Sequence, residues 1–335
     1  MAHSRPPALK RGDRIGYFSP SSPATAYAPK RHQRAVHFLR QQGFDVVAGQ
    51  LTGQQDGYRS GTIEARAREL NALLRDPTIR CVMSTIGGSN SNALLPHIDY
   101  DAIRRDPKII VGYSDVTAIL QAITQQTGLI TFYGPALVAS LGELDPLRGQ
   151  TWEAFWQIVC VDGAQTINLH MPERWTDEYV PWEQQTEPKN TAPNQWRTLR
   201  DGQATGRLIG GNLNTMSGLW QTPYLLAPRP GDILLIEDSL KNAAHMERLF
   251  SHLHNTGLLN QLGGLIMGKH EGFDDQETNK QPEDIFLEVV GEPPCPMLSQ
   301  FDCAHTHPML TMPLGAQIHL NATAQTVRLL ERCVS

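Results

Sequence analysis

Three residues of types that cooperate in hydrolysis stand where apolar runs end. Ser114 follows Ile109 to Val111, Glu237 follows Asp232 to Ile236, and His305 follows Leu298 to Cys303. A serine hydroxyl is a weak nucleophile until a base takes its proton, and the base needs a third group to fix its tautomer. Glutamate can fill that third role as aspartate does. The order Ser, Glu, His is that of α/β-hydrolases, although triads recur on unrelated folds. Around Ser114, Gly112 permits a sharp turn, and Val116, Ile119, Leu120 and Ile123 recur at helical spacing. A turn from strand to helix pushes a hydroxyl out of the sheet and sets it at a helix N-terminus, which favours developing negative charge. Gly112-Tyr113-Ser114 supplies the first half of such an elbow pattern, but Val116 stands where the second glycine belongs. The competing reading is a serine that only caps a helix.

An acyl-transfer intermediate also needs two backbone N–H groups aimed at its oxyanion. Asp115 at the helix start is one candidate donor. The Gly87-Gly88 turn after a neighbouring strand is the source of the other, because glycine lets backbone approach a ligand closely. The run Gly87-Gly88-Ser89-Asn90-Ser91-Asn92 lacks the spacing of a dinucleotide or P-loop fingerprint. Two His-x-His pairs invite a metal reading. His252 and His254 fall near a helix end, where residues two apart do not share a face. His305 and His307 share a face if extended, with Cys303, and so form a conceivable zinc site that Pro308 and the lack of a further spaced ligand weaken.

The elements that must position these residues divide the chain in two. Over its first 140 or so residues, strands are expected at Arg14 to Phe18, Phe44 to Val47, Cys81 to Ile86, Ile109 to Val111 and Leu129 to Tyr133. Helices between them carry the apolar faces Ala35, Val36, Phe38, Leu39 and Ile63, Ala67, Leu70, Leu74. Such alternation implies a parallel sheet covered on both faces. The expected units are an N-terminal α/β domain over 1–150, a connecting segment over 151–205, and a smaller mixed α/β domain over 206–335. The connecting segment carries a helix at Trp152 to Val161. It then turns polar and irregular, with Trp175, Trp182 and Trp196 spaced by prolines, which reads as a loop closing over something. The second domain is expected to hold strands at Asp232 to Ile236 and Leu262 to Met267, and a closing hairpin of Ala316 to Leu320 with Thr326 to Leu330.

Composition narrows the function classes. The 335 residues are 40% hydrophobic and 19% charged, values that allow a sizeable core. A net charge of −5 with no basic stripe gives no nucleic-acid footprint. No apolar run approaches the roughly 20 residues that span a bilayer, and Met1 to Pro7 is not followed by a signal-peptide core. Five scattered cysteines read as reduced thiols in a cytoplasmic protein.

Taken together, several segments resemble the LD-carboxypeptidase family of serine peptidases, in particular its branch similar to the microcin C self-immunity peptidase. In the first half they are Gly12-Asp13-Arg14-Ile15, Ile86-Gly87-Gly88 with Ser91-Asn92 and Leu94-Leu95-Pro96, and Val111-Gly112-Tyr113-Ser114-Asp115. In the second half they are Gly206 to Leu213, Leu234 to Asp238, His305 to Thr311 and Pro313-Leu314-Gly315. The resemblance implies Ser114 as nucleophile, His305 as general base and Glu237 as the group orienting it, with Gly88 and Asp115 as oxyanion donors. It also implies a site in the crevice between two domains, a homodimer, and no cofactor or metal. Ala304 departs from the family, which usually has glycine before the histidine. Two substrate classes follow: a cytoplasmic muropeptide ending in D-alanine, or an aminoacyl- or peptidyl-nucleotide cleaved at its amide. Ser91-Asn92 and the His305 to Thr311 segment resemble the second branch more closely. An indole stacking on a nucleobase fits too, and Trp182 and Trp196 are the candidates for it. A zinc hydrolase using His305, His307 and Cys303, or a protein that binds a nucleotide-like compound without cleaving it, are the competing classes.

Overall fold

The computed structural model describes residues 4–303 and 305–335. Five short strands, β1 (Arg14–Phe18), β2 (Asp45–Ala48), β3 (Ile79–Ser84), β4 (Ile109–Gly112) and β5 (Thr131–Tyr133), pair in parallel in the order β5-β4-β3-β1-β2. Strands buried on both faces need continuous apolar runs, and all four residues of β4 are buried. The helices are α1 (Ala24–Tyr27), α2 (Pro29–Gln41), α3 (Ile63–Arg75), α4 (Tyr100–Arg105), α5 (Thr117–Thr127) and α6 (Leu147–Val159). Thr62 caps α3 by accepting from the Ala65 N–H, and α3 buries Ala67, Leu70, Leu73 and Leu74. The parallel sheet expected of the first half is present, with β1 at its expected ends and the other strands displaced by one or two residues.

The connecting segment is not a structureless loop. After α6 it forms β6 (Ile167–Leu169), a small antiparallel ribbon of β7 (Arg174–Trp175) with β8 (Ala192–Pro193), and β9 (Arg197–Arg200). The second sheet has the order β6-β16-β15-β10-β11-β12-β13-β9. Its centre is parallel: β10 (Gln203–Asn212), β11 (Ile233–Glu237), β12 (Gly264–Gly268) and β13 (Met297–Phe301). Its flanks are antiparallel, and β6 and β9 of the connecting segment close its two edges.

Strand β14 (Met312–Leu314) leaves this unit and pairs antiparallel with β5, completing the first sheet. The hairpin of β15 (Gln317–Asn321) with β16 (Thr326–Leu329) forms as expected. Helices α7 (Leu213–Ser217), α8 (Ala243–Asn255) and α9 (Pro282–Val290) pack on the second sheet over a separate apolar core. The core of the first sheet runs on into Leu208, Leu298, Phe301 and Ile318, so the two units share apolar packing. Among the described residues no helix is long and apolar enough to cross a membrane.

Candidate active site

Parallel sheets place ligand sites beyond the carboxyl ends of their strands. Here three such ends converge. β4 delivers Ser114, β11 delivers Glu237 as its last residue, and the chain leaving β13 brings His305. Ser114 and His305 meet at a cavity of about 340 Å³ that Gly87, Gly88, Trp182 and Lys189 also line, and Glu237 reaches it through His305. A larger cleft of about 710 Å³ shares none of these residues. On its walls Arg5 is paired with Glu331, and Arg207 with Asp232 at 2.6 Å.

Ser114 has φ +62°, a left-handed conformation that costs a non-glycine residue on the order of 1–3 kcal/mol. It opens a short 3₁₀ turn, Ser114–Val116, that feeds α5. This is the strained strand-to-helix turn expected from the half-matched pattern, made without the second glycine. Gly87 explains why the neighbouring loop needs glycine: a Cβ there would lie 2.8 Å from the Ser114 Cβ and 3.0 Å from the Asp115 nitrogen. Gly88 has φ +144°, and a Cβ on it would run into the Ser21 side chain. The backbone N–H groups of Gly88 and Asp115 have no acceptor among the described residues. The Asp115 carboxylate holds the same loop from behind, accepting from the backbone N–H of Asn90 at 3.0 Å and of Ser91 at 2.9 Å.

On the opposite wall, His305 Nδ1 lies 2.7 Å from Glu237 Oε2. The other carboxylate oxygen accepts from the Asn212 amide at 3.0 Å and from the Tyr133 hydroxyl. That hydroxyl in turn accepts from the Ser114 backbone N–H at 3.0 Å. Burial alone would raise the Glu237 carboxyl, but the His305 charge and three hydrogen bonds hold it below its usual value. Burial would lower the His305 imidazole, and Glu237 outweighs this, so its pKa is raised. The Ser114 hydroxyl makes no hydrogen bond to His305 in this arrangement. Catalytic contacts of this kind often tighten only around substrate.

The other sequence candidates separate. Trp182 lines the cavity, with the Arg31 guanidinium 4.7 Å from its ring centroid and Tyr27 beside it. Arg31 is itself buried against Glu143 at 3.0 Å, and Glu183 accepts from the Lys30 N–H at the start of α2 at 3.0 Å. Trp196 corrects the expectation that it meets a base. It is 1% exposed, its indole N–H donates to buried Asp302 at 2.7 Å, and its ring packs on Phe301, so no face reaches the cavity. His252 and His254 are exposed on α8. Cys303 is wholly buried against the Tyr133 carbonyl with its thiol pushed well up, and among the described residues no group of three His, Cys, Asp or Glu is placed to hold a metal ion. Ala304 lies outside the described residues.

Sequence reasoning missed Tyr133 and Asn212. Asn212 had a local signal, since an asparagine before an apolar helical run is a cap, and its side chain does accept from the Thr215 N–H of α7. Tyr133 becomes visible only once the β4–β5 register puts it beside Gly112.

Fold and site define a serine peptidase of two α/β domains, and the chain belongs to the LD-carboxypeptidase family. Residues 15–134 match the family's N-terminal domain and 205–320 its C-terminal domain. Among individual proteins, it is 53% identical to a putative carboxypeptidase of Vibrio cholerae, over 98% of each chain. It is 46% identical to the microcin C7 self-immunity protein MccF of Escherichia coli, over 98% of this chain and 96% of that one. The wild-type apo structure of MccF superposes with a TM-score of 0.96, covering 99% of this chain and 100% of that one. MccF has also been solved in complex with aspartyl sulfamoyl adenosine, at the same TM-score of 0.96 and 46% identity, covering 99% of this chain and 100% of that one.

Proposed function

We propose that this protein is a serine amidase that cleaves the amide joining an aminoacyl or peptidyl group to a nucleotide-like leaving group. The observation that carries the reading is one cavity lined by Ser114, His305 and Gly88 with an indole at its edge, His305 being paired with Glu237 and the Gly88 and Asp115 N–H groups having no acceptor among the described residues. The likeness to MccF, solved with an aminoacyl sulfamoyl nucleoside, supports the substrate class.

In this mechanism the Ser114 Oγ attacks the carbonyl carbon as His305 Nε2 takes its proton. The N–H groups of Gly88 and Asp115 hold the oxyanion. His305 then gives its proton to the leaving nitrogen, and water releases the acyl group by the same steps in reverse. Glu237 fixes the imidazole through Nδ1, and Tyr133 ties the Ser114 backbone to Glu237. Trp182, with Arg31 over its ring, stacks on the base. The reading places the enzyme in the cytoplasm as a homodimer, which sedimentation would check.

A second reading is an LD-carboxypeptidase that releases D-alanine from muropeptides, favoured by the family match itself. Mass spectrometry of parallel incubations with an aminoacyl sulfamoyl adenosine and an L,D-linked muropeptide tetrapeptide separates the two. Release of the amino acid from the nucleoside is the expected result. Loss of terminal D-alanine alone would replace it with the carboxypeptidase reading and leave Trp182 a structural role.

A further inference from the structure

Among the described residues eight that are not glycine adopt left-handed backbone, and two of them, Ser114 and Leu240, line the active-site cavity. Ser114 is the nucleophile of the reading above. The other six are Gln, Glu or Asn, so Leu240, at φ +53°, is the one apolar member. Such a conformation is costly for a bulky side chain and persists only where neighbours dictate it. Here they do. The Leu240 N–H donates to the Glu271 carbonyl at 2.8 Å, and the Lys241 N–H lies 3.2 Å from His270 Nε2. Asn242 then caps α8 by accepting from the His245 N–H. The turn from β11 into α8 is thus pinned at Leu240 and just beyond it.

That turn exposes an aliphatic side chain. Leu240 is 74% exposed and belongs to neither apolar core. Its Cδ2 rests over Gly272, where a Cβ would lie only 2.8 Å away. The other exposed large apolar side chains among the described residues, Tyr58 and Tyr179 foremost, do not line the cavity. A lone exposed leucine is ordinary on a protein surface. Leu240 differs because the backbone is held in a costly conformation to present it, a glycine clears room for it, and the wall it stands on also carries His305.

We infer that Leu240 is a substrate contact: an apolar part of the bound compound, its base or the hydrocarbon of its acyl group, covers the leucine and excludes water from it. The compounds named rest on the amidase reading above, to which the inference adds a specificity residue.

The test is calorimetric binding to Ser114→Ala protein, which holds ligand without cleaving it. Three compounds are compared: an aminoacyl sulfamoyl adenosine, adenosine monophosphate and an L,D-linked muropeptide tetrapeptide. Adding Leu240→Asn brings in a residue that takes left-handed backbone readily but lacks the apolar surface. It is expected to weaken binding of the aminoacyl compound roughly tenfold, as loss of a partly buried leucine contact does, and to melt no lower than the Ser114→Ala protein. Leu240→Met should bind as tightly as leucine does. An equal loss for adenosine monophosphate would assign the contact to the base, and full affinity there would assign it to the acyl group. Unchanged affinity in Leu240→Asn, a loss accompanied by a clearly lower melting temperature, or binding of none of the three would overturn the assignment. Binding of the tetrapeptide alone, weakened by Leu240→Asn, would keep the Leu240 contact and reject the amidase.

Discussion

The two walls of the cavity do their work by different physics. The wall from the first sheet is built of backbone: a left-handed Ser114, two glycines and two N–H groups without acceptors among the described residues. The wall from the second sheet is built of titratable side chains, each held by a neighbour: Glu237 with His305, and Asp238 with Lys241. Strain and unspent donors on one side face charge on the other. Changes to the first wall should therefore lower the rate without moving its pH dependence, and changes to the second should move both.

The largest expected effect is on the first wall. Ser114→Ala should lower kcat by something on the order of 10⁶-fold with the fold intact, as removal of a triad nucleophile does elsewhere. Residual turnover within tenfold of wild type would dismiss the proposed mechanism. On the second wall, Glu237→Gln should lower kcat by roughly 10⁴-fold by releasing the imidazole from its tautomer. It should also shift the acid limb of kcat/KM. Glu237 raises the His305 pKa above the ordinary 6.5, and the reaction needs the neutral ring. Wild-type activity is thus lost as pH falls through that raised value, and in Glu237→Gln the loss should occur at lower pH. An acid limb that stayed in place would mean another group controls it.

Gly87→Ala returns to the first wall. Its Cβ would press on Ser114 and on the Asp115 nitrogen, and a loss of about 10²- to 10³-fold in kcat is expected, the scale of one oxyanion donor. A pH profile displaced by this substitution would erase the contrast between the walls. The smallest effect concerns the tryptophans. Trp182→Ala should raise KM for a nucleotide-like substrate by roughly tenfold to a hundredfold, the worth of one stacked base. Trp196→Ala should instead cost about 3–5 kcal/mol of stability in denaturant titrations, because it empties a core position and strips buried Asp302 of a donor. Similar KM changes in the two would show that Trp182 does not meet substrate.

Trp182 and Trp196 also mark where sequence reasoning stops. Both stand in a proline-rich segment, and nothing nearby separates them. Trp196 is buried because Asp302, distant in sequence, arrives to accept its N–H, and Trp182 reaches the cavity because Arg31 and Tyr27 approach its ring. The same limit hid β6 and β9, whose partners are remote strands of the second sheet. Local contrast served better. Ile109 to Val111, then Gly112, then an amphipathic run was enough to place Ser114 at a turn, and the apolar run ending at Glu237 was equally plain. The pairing of Glu237 with His305, and the route from Glu237 through Tyr133 to the Ser114 backbone, depend on two sheets meeting. No single stretch of chain encodes that meeting.

Strand β14 makes the meeting hard to undo, and it sets a schedule for folding. It is synthesised well after the other strands of the first sheet, yet it closes that sheet's edge beside Tyr133. On the ribosome, the turn bearing Ser114 exists long before β5 has its second neighbour, with an open strand edge able to pair with other chains. The serine is thus made early but framed late, after Glu237 and His305 have also emerged. A half-made chain carries the hydroxyl without the means to use it.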